Sequence, residues 1–145
     1  ELSTPSSLSR GAAVALFDEL LVEYRKDAFQ RQLHRAWLAA REGDLKERER
    51  IRQRVCLDVQ AEVLPRYGFE ASRRGAMSLP AMLGGYVAEE QEFFYKDAWV
   101  QWLTDPGRQA EYPRGPFGPM ARDRAAEGQL PARAVLAEVP CPWLP

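Results

Sequence analysis

The chain has 145 residues, 46% hydrophobic and 28% charged, with a formal net charge of −1 at pH 7. That apolar share excludes a disordered chain, and the near-neutral balance lacks the basic surplus on which nucleic-acid binding rests. No run reaches the ~18 consecutive apolar residues of a membrane-crossing helix, so any membrane association is expected to be peripheral, through partners.

The length fits one domain plus an extension. Residues 1–104 hold fifteen Lys/Arg against sixteen Asp/Glu, and the remainder five against five, so neither part is a charged tail. Arginine outnumbers lysine 17 to 3. Its bidentate, weakly hydrated contacts suit interfaces; a GC-rich coding sequence, which also raises Ala, Gly and Pro, is the alternative. The chain starts at Glu1 without a visible signal segment, which reads as a processed or trimmed form. Residues 1–8 read as an N-terminal extension, and Ser3, Thr4, Ser6, Ser7 and Ser9 fit the region after a removed targeting peptide.

Ser9 is the expected N-cap of a first helix through about Lys26, with Val14, Phe17, Leu21, Tyr24 and Ala28 as its buried stripe. Asp27 with Gln30 resembles a capping box, which predicts a second helix to about Glu42; one long helix bent at Asp27 is the alternative. Phe29, Leu33, Ala36, Trp37 and Ala40 form its apolar face. Asp44 with Glu47 is a second capping box, opening a helix to Leu64 that buries Ile51, Val55, Val59 and Val63. Arg41 to Arg54 alternates in sign, the mark of an exposed helix with internal ion pairs. Pro65 and Gly68 close that helix. A short turn over Ala71–Met77 and a start at Ser78-Leu79-Pro80 follow, with Gly84-Gly85 expected to interrupt.

Ala88 to Thr104 reads as the last strong helix, and Asp105-Pro106-Gly107 as its end. Beyond it, one further short helix is expected, over Met120–Gly128 or Pro131–Glu138. Residues 105–145 carry eight of the eleven prolines. Ordering such a segment costs roughly 1–2 kcal/mol per residue, so it is expected to lie against its own helices or another subunit. No strand-period segment and no repeat is present. The expected fold is all-α: a small irregular bundle of four to five helices over 9–104, with an extended Pro-rich arm over 105–145.

The chemistry-bearing residues are few. His34 is the single histidine; it has no Ser or Cys beside it in a nucleophile arrangement and reads as a partly buried or surface helix histidine, with a metal or pigment ligand as the alternative. Cys56 and Cys141 lack zinc spacing. They are the disulfide candidate, worth about 4–5 kcal/mol for so long a loop, with two unrelated thiols as the alternative. Glu89, Glu90, Glu92 and Asp97 read as a solvated acidic first turn favoured by the helix dipole, since a di-metal site also needs Glu-x-x-His elements. Phe93, Phe94 and Tyr95 are consecutive and point in different directions around a helix, so at least one of them is expected to face away from the core, to dock the arm, a partner subunit or a planar pigment or lipid, with core filling as the alternative.

Asp27-Ala28-Phe29-Gln30-Arg31-Gln32-Leu33-His34 and Glu62-Val63-Leu64-Pro65-Arg66-Tyr67-Gly68-Phe69-Glu70-Ala71-Ser72 resemble segments of a family of small helical proteins of dinoflagellates and related algae. The likeness covers roughly residues 10–80. It brings no catalytic residues, and it implies a nuclear-encoded organellar protein.

These readings converge on a non-catalytic accessory subunit of a large organellar assembly. The favoured host is a photosynthetic membrane complex of an alga (a photosystem or its antenna at the plastid thylakoid), with a mitochondrial complex as the alternative. Tyr112, Arg114, Phe117, Trp143 and Leu144 are the expected partner contacts, and prolines keep the arm extended so that docking costs less freedom. No catalytic or metal residue and no intrinsic cofactor is expected; pigment contact stays open. A small ligand-binding or enzymatic bundle with a pocket of Trp37, Tyr67, Phe94 and Trp99 is the second expectation.

Overall fold

The computed structural model describes residues 7–118 and 127–128, and within them it is all-α with no strand. The first helix, α1 (Arg10–Arg25), starts where expected: Ser9 Oγ accepts from the Ala12 N–H at 3.2 Å. It turns its apolar side, Ala13, Leu16, Phe17, Leu20, Leu21 and Tyr24, into the core. Ala28 is exposed rather than part of that stripe.

Lys26 is extended (φ −61°, ψ 137°), so residues 9–42 form two helices rather than one. The second, α2 (Asp27–Ala39), is not opened by a capping box. Asp27 lies inside it and pairs with Arg31 at 2.7 Å, while Gln30 is fully buried. It stops three residues earlier than the sequence predicts. The 19-residue α3 (Leu45–Val63) is capped as expected, Asp44 Oδ1 accepting from the Glu47 N–H at 3.1 Å. A single 3-10 turn, Leu64–Tyr67, then carries the chain to Gly68. Gly68 sits at φ +85°, a left-handed conformation that glycine adopts without steric cost, and this turn drives Phe69 into full burial.

The short α4 (Arg73–Met77) is capped by Ser72 and followed by α5 (Leu79–Glu89), with Pro80 in its first turn. Gly84 and Gly85 do not interrupt α5; both lie inside it with open space where a Cβ would stand. The interruption comes at Glu90 (φ −121°, ψ 125°), before α6 (Gln91–Leu103). The cause lies in the core. Residues 86 and 93 of one straight helix would be about 10.5 Å apart along the axis, whereas the Tyr86 and Phe93 rings stack with centroids 4.9 Å apart. Folding α5 back on α6 lets both rings share one site, with Phe17 meeting Phe93 edge-on at 5.9 Å.

The chain does not leave the bundle at Thr104. Asp105 Oδ1 accepts from the N–H groups of Gly107 and Arg108 at 3.0 and 3.3 Å, capping a further helix, α7 (Pro106–Glu111). Proline at the first helical position is a start signal, because its missing N–H is unpaired there anyway. Around this framework α1 is central, packed on α6, α3, α2 and the 3-10 turn; α4 joins α3 to α5, and α7 bridges α6 and α2. The five longest helices match the expected bundle. Among the described residues no helix is long and apolar enough to cross a membrane. Of the later helical candidates, only residues 127–128 fall within the described part, in a turn.

Candidate functional site

Residues 106–118 are held by a buried polar knot that the sequence did not reveal. Gln30 and Gln109 are both fully buried, on α2 and α7. Gln30 Nε2 donates to the carbonyl oxygens of Tyr24 at 2.6 Å and Leu103 at 2.8 Å. These are carbonyls in the last turns of α1 and α6, where helices leave acceptors without an internal partner. Gln109 Nε2 donates to Gln30 Oε1 at 3.1 Å and to the carbonyls of Trp102 and Leu103 at 3.0 and 3.2 Å.

With its amide nitrogen turned to three acceptors, Gln109 must present Oε1 to His34, whose Nε2 lies 2.6 Å away. His34 therefore donates from Nε2–H, the tautomer assigned from the network. Burial holds its basicity below the ordinary value, only partly countered by the bond to Gln109. The unfolded chain thus takes up the proton more readily, and stability falls as pH drops through about 6.5 towards the lower folded value, where it levels off. A urea-unfolding series from pH 7.5 to 5 is expected to show that loss. His34→Gln, whose amide N–H can still donate to Gln109, is expected to remove most of it.

Past α7 the chain lies over the aromatic face of α6. Trp102 Nε1 donates to the Tyr112 carbonyl at 2.8 Å. Gly115, at φ +136°, passes so close to Trp99 that a Cβ would stand 2.9 Å from its ring. Of the three consecutive aromatics, Phe93 is fully buried, Tyr95 is 9% exposed and Phe94 is 53% exposed, so the outward ring is Phe94. Phe94 meets Tyr95 edge-on at 5.8 Å, and Tyr95 meets Phe117 edge-on at 5.6 Å. Gly118 lies against the Tyr112 ring. The result is an aromatic ridge along the outside of α6 and the segment after α7.

Three of the five expected partner contacts are thereby placed. Tyr112 (38% exposed) and Arg114 face outward, while Phe117 is half-buried against the chain's own bundle. Trp143 and Leu144 lie outside the described residues. So does Cys141, and with it the proposed pairing to Cys56. No family model, curated protein or solved structure matches this chain.

The four rings expected to line a pocket each have a described neighbour elsewhere in the fold. Trp37 lies under the Arg48 guanidinium at 5.1 Å, Tyr67 closes the 3-10 turn, Phe94 is on the ridge and Trp99 is beneath Gly115. Instead, a cleft of about 590 Å³ opens between α3, α4 and the C-terminal end of α6. None of those four rings lines it. At its floor Cys56 is buried beside Tyr24, whose hydroxyl receives a hydrogen bond from Gln60 Nε2 at 3.1 Å. Burial pushes the Cys56 thiol up to about 12, with Arg52 opposing, so its reactive thiolate is scarce at neutral pH. Iodoacetamide at pH 8 is expected to label Cys56 at least about tenfold more slowly in the native protein than in urea, read by peptide mass mapping.

The acidic residues of the α5–α6 corner are structural ties. Arg10 bonds Glu90 at 2.8 Å and Glu92 at 3.3 Å, and its guanidinium lies 5.5 Å from the Phe93 ring centre. Lys96 pairs with Asp18 across α1 and α6. Among the described residues no three His, Cys, Asp or Glu side chains are grouped to hold a metal ion.

Proposed function

We propose that this chain is a non-catalytic accessory subunit that adheres to a larger protein assembly through the aromatic ridge whose exposed rings are Phe94 and Tyr112, backed by Tyr95 and Phe117. The observation that carries it is the 53% exposure of Phe94 on a helix whose Phe93, Tyr95, Trp99 and Trp102 are buried. Large rings at such positions are typical interface anchors. Arg114 beside the ridge supplies a bidentate donor for a partner's carboxylates or carbonyls. A catalytic role would need a nucleophile beside a base. The cleft over Cys56 is lined by no histidine.

Trp143 and Leu144 extend the same adhesive role along the Pro-rich segment. The resemblance to algal helical proteins directs the choice of host to a photosynthetic membrane complex in the plastid, with a mitochondrial complex second. The test is native-gel separation of gently extracted complexes from cells carrying tagged chain. Wild type is expected in a high-mass species, and Phe94→Ser with Tyr112→Ser to lower its occupancy about tenfold, the effect of a lost hot spot worth about 1.4 kcal/mol. A wild-type chain migrating alone overturns the reading.

A further inference from the structure

We propose that the cleft between α3, α4 and α6 binds an anionic amphiphile: one acidic head, carboxylate or phosphate, on an unbranched apolar body. Its volume, about 590 Å³, lies in the range of small-molecule sites. The chain as a whole carries a net charge of −1, yet Arg50, Arg52, Arg54 and Arg73 line this cleft against Glu49 alone. A concave, positively lined surface on a chain of opposite net charge concentrates anions locally.

The four arginines are not equivalent. Arg52 is fixed in the wall, its Nε donating to the Thr104 carbonyl at 2.7 Å and its Nη1 to Glu49 at 2.8 Å. Arg50 is engaged by Glu47 at 3.0 Å. Arg54 and Arg73 are exposed on facing elements, and neither has an ion-pair partner among the described residues. Two guanidinium groups across one mouth suit a single carboxylate or phosphate, which takes paired N–H donors.

Between and below them apolar side chains, Leu57 from α3, Ala76 and Met77 from α4, Pro80 from α5 and Val100 from α6, share the lining with the amides of Gln53, Gln60 and Gln101 and the Thr104 hydroxyl. Met77 is 68% exposed at the rim, a large apolar side chain left uncovered beside the two arginines. Methionine adapts readily to ligands of irregular shape. The floor is uncharged, since burial keeps both the Tyr24 phenol and the Cys56 thiol protonated. Guanidinium groups at the mouth of an uncharged, partly apolar interior match the polarity of an amphiphile, which gains from both where a small hydrophilic anion or a neutral oil gains from one.

Calorimetric titration of the full chain with decanoate, decyl phosphate, decanol and inorganic phosphate tests this. Decanoate and decyl phosphate are expected to bind one to one, at least tenfold more tightly than decanol or inorganic phosphate. The Arg54→Glu/Arg73→Glu variant is expected to lose at least tenfold in affinity for both acids, with its melting temperature unchanged. Raising the salt concentration on the wild type should weaken the acids and spare decanol, an arm that needs no variant. Decanol binding as tightly as decanoate, or phosphate as tightly as decyl phosphate, overturns the proposal. So does an affinity unmoved by both the charge reversal and salt.

Discussion

Gly75→Ala is expected to destabilise the protein by about 3 kcal/mol or more, although alanine is the better helix former by roughly 1 kcal/mol. Gly75 is buried in the middle of α4, and a Cβ there would stand 1.9 Å from the Glu70 carbonyl oxygen and 2.8 Å from its carbon. Both obstacles are backbone, so no rotamer change relieves them. Nor can the loop simply retreat. Glu70 O accepts from the Ser72 N–H at 2.9 Å, and Ser72 caps α4 by accepting from the Gly75 N–H at 3.3 Å. Relief therefore means dislodging α4, which carries Arg73, Ala76 and Met77 into the cleft. The variant should show a lower urea midpoint and a weakened decanoate titration. A midpoint within 0.3 M of wild type, worth about 0.5 kcal/mol at a typical slope, would show that the close approach of Glu70 is not maintained.

Gln30→Leu should cost about 1 kcal/mol although leucine has nearly the same volume. The substitution strands the Tyr24 carbonyl at the end of α1 and removes one of the three acceptors of the Gln109 amide, leaving it the carbonyls of Trp102 and Leu103. Each buried group left unpaired costs about 1–3 kcal/mol, which outweighs the roughly 1–2 kcal/mol that leucine's extra apolar surface can return. Leu103 O is less affected, since Gln109 also donates to it at 3.2 Å. Pairing Gln30→Leu with Gln109→Leu in a double-mutant cycle should give a coupling of at least about 1 kcal/mol, because both act on one network. Additive effects would mean that the two amides work separately.

Local signals in the sequence were reliable where a single residue's backbone chemistry decides the outcome. Ser9 and Asp44 cap their helices, Gly68 takes the left-handed turn, and the helix pair breaks beside Asp27. The outward ring among residues 93–95 was legible too, since three consecutive side chains cannot share one face. What escaped was anything set by partners distant in the chain. Gln30 stands three residues after Asp27, the spacing of a capping box, and only the approach of α7 from residue 109 reveals it as a core donor. Pro106 was read as a terminator although Asp-Pro carries the same cap-then-proline signature as Ser78-Leu79-Pro80. Gly84 and Gly85 are helical because α5 is held from outside, by Tyr86 against Phe93 and by the Tyr86 hydroxyl donating to the Leu8 carbonyl at 2.7 Å. The cleft was invisible for the same reason: Arg54 and Arg73 lie far apart in the chain and belong to different helices.

The union of Gln109 with Gln30 and His34 spans more than seventy residues of chain. Gln30 and His34 precede Gln109 by long stretches of chain, the Trp102 and Leu103 carbonyls by only seven and six residues. A nascent chain paused short of that point holds two helix-end carbonyls and an imidazole in a half-built interior, open to water. Closing that interior therefore waits on contacts of long sequence separation, the kind whose loop-closure cost slows folding.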